Sequence, residues 1–156
     1  MIVDTSALLL VAVAHETPYL DAANFRELLA RIAETEGLAA PHLLSYELGN
    51  AIHRKRAREL GQSLAQRKTV YRELHEIVRV EASSGEVLAQ SAELAELWKA
   101  SFYDASFLAH AKAAASSLLT GDRRMSDLAT AHGIRAYFLP GDLPLLEADF
   151  PEPPAA

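Results

Sequence analysis

Four acidic residues occupy positions from which carboxylates could act together on one substrate. Asp4 comes directly after a short apolar run, and Asp122 comes directly after another run that is typical of a buried strand. Glu47 lies in the first turns of a predicted helix, and Asp104 lies at the start of another. Ligands of open α/β sheets bind outside the carboxyl ends of the strands, so we expect the four side chains at that edge.

Carboxylates gathered in this way suit metal-dependent hydrolysis of a phosphate ester. They repel one another unless cations or protons are bound. Mg²⁺ and Mn²⁺ prefer oxygen ligands, and ions held by paired carboxylates can orient a phosphodiester and activate a water molecule. The chain has no cysteine, and its six histidines show neither an HExxH motif nor a paired zinc spacing. Oxygen ligands are therefore the expectation.

Each acid also has a purely structural interpretation when it is taken alone. Asp4 and Asp104 could cap helices, Glu47 could be a solvated helix residue, and Asp122 could shape a turn. Asp127 could be a fifth acid near the metal, although a helix-surface carboxylate is the commoner role. The separations between the four acids match no motif by themselves.

The elements that must position these residues alternate between strands and helices. Strands are predicted at residues 1–3, 38–40, 79–82, 116–120 and 134–139. Helices are predicted from residue 7 onward and at 19–36, 42–60, 64–78, 85–100, 104–115 and 124–131. This alternation predicts an α/β domain in which helices cover both faces of a parallel sheet.

Four local strings resemble the PIN-domain ribonucleases, and they occur in the same order. The strings are VDTSALL at 3–9, YELGNAI at 46–52, YDASFLAHA at 103–111 and LLTGDRRM at 118–125. A lone domain of this length is more closely similar to the toxin of a VapBC toxin–antitoxin pair, and the resemblance covers residues 1–139. The four strings are specific together, whereas VDTS and TGD alone would be weak.

The resemblance implies a three-layer α/β/α fold and an endoribonuclease that depends on Mg²⁺ or Mn²⁺. The acidic quartet of the family falls on Asp4, Glu47, Asp104 and Asp122. By this resemblance Asp4, Asp104 and Asp122 hold the principal ion, and Glu47 completes its coordination directly or through water and helps to orient the attacking water. Whether one or two ions bind stays open.

Polar neighbours of the acids are implied as supports. The hydroxyl of Thr120 is expected to support the site, and Thr5 or Ser6 is expected to hydrogen-bond near Asp4. Asn50, one turn after Glu47, is either a polar support at the rim or a solvent-exposed residue.

Basic and aromatic residues are candidates for binding a nucleic acid. Arg123 and Arg124 follow Asp122, where a substrate phosphate could pass, and the basic run at 54–58 could contact phosphates or an acidic partner. A solvated helix face is the commoner explanation for the basic run. Arg123 and Arg124 are better placed than that run, because they adjoin the acidic site, and for them the two explanations are about equal. Tyr19, Tyr46 and Tyr103 could stack on bases, but core packing explains them as well.

Length, charge and the terminal segments limit the class of protein. The 156 residues carry a net charge of −6, which argues against a chain that coats nucleic acid by charge alone. We expect a nuclease domain at residues 1–140 and a C-terminal tail at 141–156 that is loose at its end. The apolar run after Asp4 is about half the roughly 20 residues that span a bilayer, and no basic residue precedes it. A cytoplasmic protein without membrane contact is expected.

The resemblance also implies partners, and other functions stay open beside the toxin. The expected partners are an RNA substrate, a VapB-type antitoxin and a second copy of the chain in a homodimer or larger homo-oligomer. One alternative is a PIN nuclease of RNA processing, and a second is a non-catalytic RNA-binding PIN module. A phosphatase or receiver-like protein would be expected to carry an early DxD, and this chain has DTS there.

Overall fold

A parallel sheet of five strands forms the centre of the computed structural model, which describes residues 1–13, 22–56 and 63–152. The strands are β1 (Ile2–Val3), β2 (Ala39–Pro41), β3 (Arg79–Glu81), β4 (Leu118–Thr120) and β5 (Ala136–Phe138). All four pairings are parallel, in the spatial order β3-β2-β1-β4-β5. The three-layer α/β/α fold with a central parallel sheet is thus confirmed.

Helices precede or follow each strand. They are α1 (Thr5–Val13), α2 (Ala22–Thr35), α3 (Leu43–Ala51), α4 (Leu64–Glu76), α5 (Gly85–Trp98), α6 (Phe102–Ala113), α7 (Arg123–Ala131) and α8 (Leu143–Asp149). A π-helical turn, Ile52–Arg56, continues α3. The predicted start of the second helix with Tyr19, the predicted end of the third at 57–60 and the last four residues lie outside the described residues. In the described ranges, no helix has both the length and the apolar character needed to cross a membrane.

The register of the central strands determines which side chains lie next to each other. Ile2 pairs with Leu118 and Val3 pairs with Leu119, so the following residues, Asp4 and Thr120, are also neighbours. The backbone N–H of Asp4 donates to the carbonyl of Leu119 at 3.0 Å. The predicted strand edge is therefore formed by the ends of β1 and β4.

Helix α6 packs against the middle of the sheet through small side chains. Its residues from Ala105 to Ala111 are all buried, and the helix contacts β1, β2 and β4. Alanine and serine at several of these positions leave room for the helix backbone to approach the strands closely. This packing places the first turn of α6, with Asp104, beside the carboxyl ends of the central strands.

A contact between two rings joins the ends of α5 and α7. The indole of Trp98 stacks on the imidazole of His132, with centroids 3.9 Å apart and planes inclined by 10°. The guanidinium of Arg124 donates to the carbonyl of Lys99 at 3.1 Å, so α7 is attached to α5 at both of its ends.

Helix α8 lies in a segment to which the sequence analysis assigned no element. Leu146 is fully buried and Phe150 is almost so, and both belong to the main core. Asp149 accepts hydrogen bonds from Arg135 at 2.6 Å and from the hydroxyl of Tyr137 at 2.8 Å. A helix of seven residues that begins around Pro144 is too short to show a helical period in the sequence.

Candidate active site

The carboxylate of Asp4 lies at the end of β1, where it is 5% exposed and surrounded by hydrogen-bond donors. The hydroxyl of Ser6 donates to its two oxygens at 2.7 and 2.9 Å, and the backbone N–H of Ala7 donates at 2.9 Å. The hydroxyl of Thr120 donates from the neighbouring strand at 2.6 Å. These contacts hold the carboxylate of Asp4 in one orientation.

Burial raises the pKa of Asp4 above its ordinary value of 3.8. The hydrogen bonds from Thr120, Ala7 and Ser6 act in the opposite direction because they stabilise the charged form. The negative charge of Asp122 raises the pKa further. Asp4 is therefore a buried acid whose charged form would gain from a nearby cation.

A short network joins the turn after β1 to the turn after β4. Besides donating to Asp4, Thr120 accepts a hydrogen bond from the backbone N–H of Asp122 at 3.0 Å. The backbone N–H of Gly121 donates to the hydroxyl of Ser6 at 2.8 Å. A Cβ on Gly121 would lie 3.0 Å from the carbonyl oxygen of Ser6, so this contact favours glycine. The sequence analysis did not identify Gly121, because the approach involves a residue more than 100 positions away.

Glu47 is half-buried and accepts a hydrogen bond of 2.7 Å from the hydroxyl of Thr5. Its pKa is raised above the ordinary value of 4.5, mainly by burial and also by the charges of Asp4 and Asp104. The hydrogen bond from Thr5 opposes this shift. The two hydroxyls after Asp4 thus serve different acids, since Ser6 binds Asp4 and Thr5 binds Glu47.

The other two acids differ in how well a structural role explains them. Asp122 is exposed and caps α7, because its carboxylate accepts from the backbone N–H groups of Arg124 at 2.8 Å and Met125 at 3.3 Å. Asp104 does not cap α6, because that role belongs to Ser101, whose hydroxyl accepts from the backbone N–H of Asp104 at 3.0 Å. Helix capping therefore does not account for Asp104.

The four acids influence one another electrostatically without converging on one point. Asp122 acts on Asp4, and both Asp4 and Asp104 act on Glu47. Within residues 1–13, 22–56 and 63–152, however, no three acidic or histidine side chains lie close enough together to bind one ion. Each of Asp4, Glu47 and Asp122 instead has a hydrogen-bond donor of its own.

The four carboxylates nevertheless have the chemistry of ligands for a hard divalent cation. All four side chains offer carboxylate oxygens, which Mg²⁺ and Mn²⁺ prefer, and a cation would relieve their mutual repulsion. Binding one ion through three of them requires that the more exposed side chains reorient towards Asp4, which is itself held in place.

The residues predicted around the acids take different positions. Arg123 is exposed and its guanidinium lies 3.9 Å from the centroid of the Phe138 ring, whereas Arg124 is bound to the carbonyl of Lys99. Asn50 is exposed on α3, the helix that carries Glu47. Of the two arginines, Arg123 is thus the one whose N–H groups are not used in a described hydrogen bond.

The parallel sheet and the acids at the ends of β1 and β4 agree with the family to which the sequence of the chain belongs. The sequence model of the PIN domain matches residues 1–131, so the chain belongs to the PIN-domain family. PIN domains are generally metal-dependent nucleases. The crystal structure of PAE2754 from Pyrobaculum aerophilum is similar to this chain, with a TM-score of 0.68, 27% identity and 94% of each chain covered. No curated protein sequence matches the chain.

Proposed function

We propose that this chain is an endoribonuclease that uses Mg²⁺ or Mn²⁺ bound by Asp4, Glu47, Asp104 and Asp122. The observation that carries the proposal is the buried carboxylate of Asp4, held at the end of a central strand by Ser6 and Thr120. Three further acids act electrostatically with it, since Asp122 acts on Asp4, and both Asp4 and Asp104 act on Glu47. Membership of the PIN-domain family supports the same conclusion.

The residues of this chain would hold the reacting groups in place. Ser6, Ala7 and Thr120 keep the carboxylate of Asp4 oriented, and Thr5 does the same for Glu47. A bound divalent ion would supply a Lewis acid for the phosphate and lower the pKa of a water molecule. Glu47, with its raised pKa, is suited to orienting the attacking water.

Arg123 is proposed to contact a phosphate of the substrate beside Asp122. Its planar guanidinium can bind phosphate oxygens through N–H groups while the ring of Phe138 supports its face. The guanidinium of Arg124 already donates to the carbonyl of Lys99, so we propose that Arg124 attaches α7 to α5. We expect Arg123→Gln to raise KM for RNA more than Arg124→Gln does, and equal KM values would contradict this division.

The experiment that tests the proposal is cleavage of total cellular RNA by the purified chain with Mg²⁺, with Mn²⁺ and with EDTA. Asp104→Asn is the most informative variant, because Asp104 caps no helix and its replacement leaves the capping hydrogen bond of Ser101 intact. We expect a loss of more than about 100-fold, since even groups that only orient metal ligands are worth 10 to 100-fold.

Asp127→Asn is the matched control, because Asp127 is an exposed carboxylate on α7. Its activity is expected to equal that of the wild type. Full activity of Asp104→Asn, or cleavage that persists in EDTA, would overturn the assignment of the acids. Binding of RNA without cleavage in any metal would favour the non-catalytic PIN module.

We further infer that the nuclease is the toxin of a VapBC-type pair. The support is the resemblance of four strings spread over residues 1–139. The proposed partners are a VapB-type antitoxin that covers the acidic site and a second copy of the chain in a homodimer. Sedimentation of the purified chain, alone and with the antitoxin, measures both associations.

A further inference from the structure

A groove between α3 and α4 lies outside the acidic site. It has a volume of about 280 Å³, and its apolar lining consists of Ile52, Leu64 and Tyr71. We call it the α3–α4 groove. Ile52 is buried, whereas Leu64 is 59% exposed. The groove is thus an open surface feature and not part of the core.

The rim of the α3–α4 groove is basic in a chain that is acidic as a whole. His53, Arg67, Lys68 and Arg72 line it, and the described lining contains no acidic residue. In the described part of the chain, none of these arginines and lysines forms an ion pair. Since the net charge of the whole chain is −6, this local excess of positive charge differs from the average surface.

Arg67 has a donor that the fold does not satisfy. Its Nε is buried and lacks a hydrogen-bond partner among the described residues. One terminal nitrogen lies 3.2 Å from Nδ1 of His53, which must be the acceptor because a guanidinium only donates. A buried donor without an acceptor costs free energy, and an anionic oxygen bound by the guanidinium would offset that cost.

The α3–α4 groove and the acidic site share one helix, although they lie on different faces of it. Gly49 lines the groove and lies two residues after Glu47, and the rim residue His53 follows in the π-helical turn. At 1.5 Å per residue, His53 is only about 9 Å along the helix axis from Glu47. A strand that leaves the acidic site and runs along and around α3 therefore reaches the three cations of α4, which are Arg67, Lys68 and Arg72.

Exposed aromatic rings beside the acids favour an unpaired nucleic acid strand over a peptide. Tyr46 precedes Glu47 and is 72% exposed, and Tyr103 precedes Asp104 and is 58% exposed. Core packing therefore does not explain these two rings. Unpaired bases stack on such rings, whereas paired bases are not accessible to them.

We propose that the α3–α4 groove binds backbone phosphates of a single-stranded RNA that leaves the acidic site along α3. The assignment rests on the proposed nuclease function, because it extends the path of that same substrate. Arg67, Lys68 and Arg72 contact the phosphates. Tyr46 stacks on a base closer to the acids.

The test is the salt dependence of binding to a fluorescently labelled single-stranded oligouridylate, measured in EDTA so that no cleavage takes place. The test variant is Lys68→Gln/Arg72→Gln, which removes two exposed cations. The plot of log affinity against log salt has a negative slope. Each lost phosphate contact reduces the magnitude of that slope by about 0.7, so we expect a reduction of about 1.4. Tyr46→Ala is expected to weaken binding without changing the slope, because its contact is uncharged.

Lys112→Gln is the matched control, because Lys112 is an exposed lysine in the last turn of α6, at the other end of that helix from Asp104. Its slope and affinity are expected to equal those of the wild type. An unchanged slope in Lys68→Gln/Arg72→Gln, or an equal decrease in Lys112→Gln, would overturn the proposal. In that case an acidic protein segment becomes the better candidate for the groove.

Cleavage of the same RNA with Mg²⁺ separates the two proposals. Wild-type kcat/KM and an unchanged slope in Lys68→Gln/Arg72→Gln would overturn the groove assignment while the nuclease function stands. Binding that depends on Lys68 and Arg72 in a chain that cuts no RNA would support the groove and overturn the nuclease function.

Discussion

At the scale of residues, the most informative feature is that two adjacent hydroxyls after β1 bind two different acids. Ser6 binds Asp4 and Thr5 binds Glu47, although the two hydroxyls are adjacent in the chain. Consecutive residues at the start of a helix point in different directions. The string DTS can thus orient two carboxylates that belong to distant parts of the sequence.

The raised pKa of Asp4 has a consequence for stability. Between the ordinary value of 3.8 and the raised value, the folded chain binds more protons at this site than the unfolded chain. The free energy of unfolding therefore falls as the pH rises through that interval. We expect Asp4→Asn to remove this decrease, so that the variant gains stability relative to the wild type as the pH increases. Urea unfolding in EDTA at a series of pH values measures the difference.

The dependence on pH is the critical observation. The substitution also changes the hydrogen bonds from Ser6 and Thr120, and the effect of this change on the free energy of unfolding is taken to be the same at every pH. Asp127→Asn controls for the removal of a negative charge at an exposed position. A difference between Asp4→Asn and the wild type that does not change with pH would contradict the effect of burial on Asp4.

At the scale of elements, the short helix α8 packs against β5, the edge strand of the sheet. Leu146 is fully buried, whereas the preceding Leu145 is 50% exposed. We expect Leu146→Ala to lower the free energy of unfolding by about 2 to 5 kcal/mol, because it removes a buried side chain and leaves a cavity. Leu145→Ala is expected to change it by less than about 0.5 kcal/mol. Urea unfolding of the two variants tests this.

Equal stabilities of the two leucine variants would mean that α8 does not pack on the core in solution. The comparison is well matched, because the same atoms are removed from neighbouring positions of one helix. It also tests whether the segment after residue 140 belongs to the folded unit, which the sequence did not indicate.

At the scale of the whole molecule, the elements were more predictable than the contacts between them. Alternating strand and helix patterns predicted the parallel sheet, and the acids at strand ends followed from the same pattern. The spatial order of the strands, with β1 at the centre, was not predicted. The contact of Gly121 with Ser6 and the choice of Thr5 as the partner of Glu47 join distant segments, and periodicity carries no information about them.

The proposed toxin role concerns the whole molecule in a cell. We expect expression of the wild-type chain to arrest bacterial growth and Asp104→Asn to abolish the arrest, because cleavage is lost while the fold is retained. We expect Asp127→Asn to arrest growth like the wild type. We expect coexpression of the proposed antitoxin to restore growth. Growth curves and RNA integrity measure both effects. Normal growth with an active nuclease would favour a role in RNA processing.

The stacked pair of Trp98 and His132 at the ends of α5 and α7 provides a fluorescent probe of the site. The chain contains one tryptophan, and its ring lies 3.9 Å from that of His132 at the end of α7. The same helix begins beside Asp122, one of the four acids. A shift of α7 relative to α5 changes the surroundings of this single indole. Its fluorescence can therefore follow events at the far end of α7 in an unlabelled protein.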